Sequence, residues 1–417
     1  MTIGNNLCGT LPFVEAPNRR EWVTSKLLRS SPIHRWFVFP HSFSDQLVEN
    51  LIKSWQLSEN DVLLDPFAGA GTTLLAGQQH GIPTVGVDLL PLAILVSRAK
   101  TRPPRAEQLN KARGWLADAA RMSPQALAEP KSAVLGEAFT LDELAVLRNV
   151  RRTIQMVCRH DSALHDALLL ALLGSLPRFS RLVSKGGWLA KTADPLPIER
   201  LPEELDTKLA TMVDDLESRA PSAAAAALVR ADARSLPLGS AEVSAVITSP
   251  PYPNRHDYTR VFGIELLFEF LDDGDIKGLR RQSLYSHPEA RPKRPMHSDY
   301  RPPAAVEESL QEIASLVNDN RVAWMLTGYF ADMDCVLREL HRVLKPGGRA
   351  ALVLGNVRYC GVTVEIDIAT CELACQVGFH ILEICVARQR GNSAQQMSQF
   401  GRKPARECIV TLMKPEA

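Results

Sequence analysis

The sequence predicts an α/β protein built on a doubly wound, mostly parallel sheet. Three observations carry that prediction. Residues 61–88, DVLLDPFAGAGTTLLAGQQHGIPTVGVD, read as strand, glycine-rich turn, helix and strand. A second train of strand-like segments begins near residue 228, and a long helical stretch separates the two. A strand followed by a crossover helix and another strand is a βαβ unit, which implies a parallel sheet covered by helices.

The elements follow in order. Residues 1 to about 30 carry no periodicity and read as an irregular arm. SFSDQLVENLIKSW (Ser42 to Trp55) places Leu47, Val48, Leu51 and Ile52 on one helical face. The βαβ unit comes next and ends at Asp88. From about Lys100 to Ala227 the strand rhythm stops, and helical patterns such as LDELAVLRNVRRTIQMVC dominate. ALVRADARSLPL then gives a strand reaching Asp232, and VSAVITSPPY gives the next. FGIELLFEF is a helix, and residues 274–303, rich in Arg, Lys, His and Pro, read as a long exposed loop. Gly347-Gly348 turn the chain into another strand. A helix from Val364 to Gln376 precedes HILEICVAR, and ECIVTLMK closes the chain as a final strand. The organisation is therefore 1–100 as the first half of a core, 101–227 as a helical insertion, and 228–417 as the second half.

Composition narrows the class. With 417 residues, 45% hydrophobic and 23% charged, the chain has the content of a globular protein. A net charge of +1 means that any nucleic-acid contact rests on local basic clusters. The eight cysteines are scattered without a CxxC pair, which reads as a reducing cytoplasm, and no metal site is expected. Cys371 and Cys375 fit core thiols. The N-terminus lacks a signal-peptide pattern, and the greasiest run, Ala163 to Pro177, is too short to span a bilayer, so no membrane association is expected.

Two motifs carry chemistry. In DPFAGAGTT (Asp65 to Thr73), Gly69 and Gly71 let the backbone turn tightly from strand to helix and approach a ligand. The helix start offers unpaired N–H groups. Leu74 stands where the dinucleotide fingerprint has its third glycine, and no Lys-Ser/Thr follows, so neither that fingerprint nor a P-loop is present. Asp88, closing the next strand, can accept hydrogen bonds from a ribose diol. The plain alternative is a tight turn with Asp88 as a helix cap. The second motif is Ser249-Pro250-Pro251-Tyr252, where two prolines end a buried strand and stiffen the backbone. Its plain alternative is a rigid turn with a packed tyrosine.

Together, DPFAGAGTT followed by TSPPY resembles the amino-group DNA methyltransferases, over residues 34–100 and 230–414. That resemblance implies a class I methyltransferase (Rossmann-like) fold with an antiparallel last strand. It implies S-adenosylmethionine as cofactor, with Asp65, Pro66, Phe67, Gly69, Gly71, Thr72 and Thr73 around its methionine part and Asp88 at its ribose. HRWFVFPHSF is similar to the segment lining the cofactor's amino-acid end, which points to Phe39 and Pro40, and Asp232 falls near the adenine. A serine in the SPPY motif is similar to the cytosine-N4 enzymes, whereas aspartate is commoner in adenine-N6 enzymes.

The chemistry suits the motif. An exocyclic amine is conjugated into its ring and becomes nucleophilic only when acceptors hold its hydrogens. The Ser249 hydroxyl and Pro250 carbonyl can both accept, Pro251 helps fix their direction, and Tyr252 can stack on a base drawn from the duplex. No cysteine follows a proline, which argues against attack on carbon-5 of cytosine. Asn254 and Arg255 continue the site. The last hairpin is expected to overhang it with a loop bearing Arg388, Arg390, Asn392, Arg402, Lys403 and Arg406, facing double-stranded DNA. The loop 274–303 is the candidate target-recognition element, and a separately encoded restriction endonuclease is the expected companion. Three other readings stay open: adenine-N6 methylation of DNA, amino-group methylation of RNA, and a catalytically silent nucleic-acid-binding module.

Overall fold

A computed structural model describes residues 11–122, 129–185, 188–192, 194–218, 222, 224–291, 297–316, 320–391, 401 and 404–416. Among them twelve strands are β1 Phe13–Glu15, β2 Leu63–Asp65, β3 Thr84–Asp88, β4 Leu182–Lys185, β5 Trp188–Lys191, β6 Ala226–Arg230, β7 Val243–Thr248, β8 Leu344–Gly355, β9 Val357–Tyr359, β10 Val362–Val364, β11 His380–Arg390 and β12 Ala405–Met413. Eight form one sheet in the order β1-β11-β12-β8-β7-β2-β3-β6, while β4-β5 and β9-β10 are separate ribbons. The run β8-β7-β2-β3-β6 is parallel throughout. β12 is antiparallel to both β8 and β11.

This is a doubly wound sheet. From β2 the chain winds outward through β3 to β6, then returns to the other side of β2 with β7 and β8. The order reverses between β2 and β7, and the carboxyl ends of strands at such a reversal open a crevice. β2 ends at Asp65 and β7 at Thr248, so both sequence motifs leave the sheet at that point.

Helices α1 Asp45–Trp55, α2 Thr72–Gln79 and α3 Pro91–Thr101 belong to the first half. Ser44 caps α1, its side chain accepting from Gln46 N–H, so the helix begins three residues after the expected start at Ser42. Between β3 and its direct neighbour β6 stand α4 Ala106–Arg121, α5 Ala133–Ala138, α6 Leu141–Val157, α7 Ser162–Leu173, α8 Leu176–Phe179, the β4-β5 ribbon and α9 Leu201–Glu217. α6 has a full capping box, with Thr140 accepting from Glu143 N–H and Glu143 accepting from Thr140 N–H. After β7 come α10 Tyr258–Val261, α11 Gly263–Glu269, α12 Asp273–Gln282, α13 Glu307–Leu316, α14 Arg321–Val343 and α15 Ile366–Val377. Among the described residues no helix is long and apolar enough to cross a membrane.

Several expectations need correction. Of the N-terminal arm, residues 11–30 are anchored: β1 pairs in parallel with β11, and Val23 and Leu28 are buried. The segment 274–303 is not one exposed loop. Asp272 accepts from Gly274 and Asp275 N–H and starts α12, which buries Ile276 and Leu279 three residues apart. Leu284, Ser286, His287 and Ala290 beyond it are also buried. The strand expected to reach Asp232 ends two residues earlier, at Arg230. Gly347 and Gly348 lie within β8, where its pairing with β7 shifts register between Val243 and Ala245.

Candidate active site

One open cleft of about 1160 Å³ lies at the strand-order reversal. Its walls include Phe39, Pro40, Asp65, Pro66, Phe67, Gly69, Thr72, Asp88, Asp232, Ser249, Pro250, Pro251, Tyr252 and Asn254. Residues as far apart as 39 and 254 in the chain therefore share one cavity.

The glycine-rich turn is shaped by its backbone. Gly69 and Gly71 have φ of 48° and 77°, in the left-handed region that L side chains avoid. A Cβ at Gly71 would also lie 2.9 Å from the Ser97 hydroxyl. Asp88 closes the turn from the neighbouring strand, its carboxylate accepting from Gly69 N–H at 2.9 Å and from Leu90 N–H at 2.9 Å. Asp65 accepts from the Thr248 hydroxyl at 2.6 Å and Phe67 N–H at 3.1 Å, tying the end of β2 to the end of β7. Burial pushes both carboxyls up to about 6, against the hydrogen bonds that favour their ionised forms.

Two expected cofactor contacts sit elsewhere. Gly71 does not line the cleft and serves the turn as the N-cap of α2. Thr73 is fully buried and donates to Ile247 carbonyl at 3.0 Å, which pins α2 against β7. The Thr72 hydroxyl is different: it is buried at the cleft wall and has no hydrogen-bond partner among the described residues. Asp232 is held by Arg234, whose Nη2 lies 2.6 Å from Asp232 Oδ2 and whose Nη1 reaches buried Asp332 at 3.0 Å.

At the β7 end, Ser249 Oγ donates to Val353 carbonyl at 3.2 Å. Its hydrogen is thus spent, and its lone pairs remain as acceptors. The Pro250 carbonyl accepts no hydrogen bond among the described residues. Tyr252 is 6% exposed and donates its hydroxyl proton to Glu407 at 3.2 Å. The Asn254 side chain accepts from His256 N–H.

The expected basic contacts are partly corrected. Arg388 pairs with Glu407, and Arg406 pairs with Asp367 and Glu365, so both are used within the protein. Arg260, close to Arg255 in the chain, is likewise engaged within the protein, by Glu289 and Asp257. Arg255 has φ of 66° and stacks its guanidinium 5.1 Å from the centre of the Tyr359 ring. Asn392, Arg402, Lys403 and the side chain of Arg390 lie outside the described residues.

Sequence reasoning missed several wall residues. Tyr258, Ser283, Leu284, Ser286 and His287 also line the cleft, and three of them, Leu284, Ser286 and His287, are buried in a segment whose charge content predicts a solvent-exposed loop. The spacing of Ile276 and Leu279 was the available signal that this segment turns inward.

The doubly wound sheet with its antiparallel β12, and a cleft at the reversal holding both motifs, define a class I methyltransferase fold. Residues 15–94 match the DNA methylase family model. The chain is 28% identical to the Type II methyltransferase M.BsoBI of Geobacillus stearothermophilus, over 95% of this chain and 88% of that protein. It is also 28% identical to the Type II methyltransferase M.AvaI of Nostoc sp., over 95% of this chain and 89% of that protein. A SAM-dependent methyltransferase structure from Methanosarcina mazei aligns with 9% identity and a TM-score of 0.33, covering 88% of this chain and 98% of that one. The chain is similar to the amino-group DNA methyltransferase family, and S-adenosylmethionine is its methyl donor. The donor set fits that cofactor: two carboxylates stand ready for hydroxyl and amino hydrogens, the Thr72 hydroxyl is unsatisfied, and Phe39 and Pro40 give an apolar wall.

Proposed function

We propose that this protein methylates the N4 amino group of cytosine within a specific sequence of double-stranded DNA. The observation that carries the reading is the convergence of Asp65–Gly69, Asp88, Asp232 and Ser249–Tyr252 on one cleft. When bound, the cofactor supplies an electrophilic methyl group on its sulfonium.

The protein's own groups do the rest. Phe39, Pro40 and the Asp65–Gly69 turn hold the amino-acid end, Asp88 accepts from the ribose diol, and Asp232, steadied by Arg234, accepts from the adenine amine. Ser249 Oγ and the Pro250 carbonyl accept the two amine hydrogens of the target base. The nitrogen lone pair is then drawn out of conjugation, and Tyr252 stacks on the base to hold it in line. As the donor's methyl–sulfur bond breaks with its electron pair left on sulfur, the amine nitrogen would bond the methyl carbon and then release one proton to solvent at the cleft mouth. Serine at position 249 is similar to the form of the motif that cytosine-N4 enzymes carry, and this supports cytosine over adenine as the target.

Within this reading residues 1–100 and 228–417 form the catalytic core, 101–227 a helical insertion, and 274–303 the element that meets the recognition sequence. Asn254, Arg255, Arg390, Asn392 and Arg402 are the proposed contacts to the duplex. The enzyme acts in the cytoplasm beside a separately encoded restriction endonuclease, as the Type II names of its relatives suggest.

Nucleoside mass spectrometry of DNA from host cells lacking their own methyltransferases, with and without the expressed gene, tests the proposal. N4-methylcytosine is expected. N6-methyladenine reassigns the base, and neither product overturns the reading.

A further inference from the structure

Tyr252 is braced from behind by a row of residues that cross the sheet. Arg388 on β11, Glu407 on β12 and Gly355 on β8 are direct register partners, Arg388 with Glu407 and Glu407 with Gly355. Glu407 is 3% exposed, and its two carboxylate oxygens are divided: one accepts from Arg388, the other from the Tyr252 hydroxyl at 3.2 Å. The arginine pairs with one oxygen of the buried carboxylate, and the other oxygen accepts the tyrosine hydroxyl hydrogen. Gly355 leaves the space the ring occupies, since a Cβ there would lie 2.8 Å from Tyr252 Cε2 and 3.0 Å from Cδ2. A tyrosine ring is free to turn about two side-chain torsions, and this row removes both freedoms.

We propose that Glu407 is a positioning residue for the Tyr252 ring, acting with Gly355 and Arg388 as one brace that sets the plane on which the target base stacks. The inference rests on the reading of Tyr252 as the base-stacking residue.

The test is a double-mutant cycle with methyl transfer to plasmid DNA from labelled S-adenosylmethionine as readout, cofactor affinity by calorimetry and folding by thermal denaturation. Tyr252→Phe and Glu407→Leu, the latter paired with Arg388→Met so that no cation is left unpaired, should each lower kcat/KM for DNA by about 5- to 30-fold. Cofactor affinity should be unchanged, and Glu407→Gln, which keeps an acceptor oxygen, should recover part of the loss. Glu407→Leu should add nothing further in the Tyr252→Phe background, because both remove one interaction. Gly355→Ala should reproduce the loss by displacing the ring. Additive losses, a fall in cofactor affinity matching the fall in activity, or full activity of the Glu407 variants would overturn the brace. A wild-type protein inactive on all DNA removes the functional reading and the brace with it, whereas an active wild type with unaffected variants removes the brace alone.

Discussion

Asp88 is where the chemistry of single residues can be read most directly. Its carboxyl is held up to about 6 by burial, so the neutral form is favoured below pH 6 and the carboxylate above it. The sign follows from linkage. A folded-state pKa above the unfolded value of about 3.9 adds stability below that value, and this stability is lost as pH rises through 6. Cofactor binding runs the other way, because a ribose diol needs the ionised acceptor. Calorimetry between pH 5 and 8 should show affinity rising through pH 6 in the wild type and a flatter, weaker profile in Asp88→Asn. Thermal denaturation should show the wild type losing stability relative to Asp88→Asn over the same interval. Tyr252→Ala removes the stacking face, worth about 1–3 kcal/mol per base. It should cut methyl transfer at least about 10-fold with cofactor affinity retained, and equal loss of both would contradict the assigned role. Asp65, Asp88 and the SPPY residues were legible because they sit at fixed offsets within a strand–turn–helix pattern. Thr73 was legible as a motif member, but not as the residue that pins α2 to Ile247.

At the scale of elements, α3 is the support on which the glycine-rich turn rests. Ser97 donates to Gly69 carbonyl at 3.0 Å, and Lys100, fully buried, donates to Ala70 carbonyl at 3.1 Å and Phe37 carbonyl at 2.6 Å. One ammonium therefore joins the turn to the segment carrying Phe39 and Pro40, and burial pulls its pKa down to about 7. Lys100→Met leaves two buried carbonyls without donors, at about 1–3 kcal/mol each. It should weaken cofactor binding at least about 10-fold and lower the melting temperature, by calorimetry and circular dichroism. The missing third glycine of the fingerprint has a counterpart in Gly77, where a Cβ would lie 2.5 Å from the Thr84 side chain. Close helix–strand contact is thus achieved one turn later than the dinucleotide pattern predicts. α12 escaped notice because basic residues crowd its sequence, and its two apolar positions signal only once a neighbouring surface is present.

At the scale of the whole molecule, the helical block between β3 and β6 shares a hydrophobic core with the catalytic elements. One cluster includes Phe37, Phe39, Ala70, Leu92 and Val96 together with Leu109, Leu147, Leu168 and Leu209 of the block and Ile264 and Leu279 beyond it. Excision of residues 106–217 would expose the apolar face of α3 that packs against α7. The shortened chain should lose its cooperative thermal transition and near-ultraviolet dichroism, and a well-folded product would show that the block is separable. What the sequence alone determined was local: strand and helix periods, the positive-φ glycines, the proline-stiffened ledge and the order of two motifs. These depend on residues within a turn or two of one another. Only the tertiary structure decided that the motifs share one cleft, that Arg388 and Arg406 serve carboxylates inside the protein, and that residues 283–290 turn inward. Those facts depend on which surfaces meet across the sheet, and a charged side chain carries no mark in sequence of whether its partner is a phosphate or a carboxylate on another strand or helix.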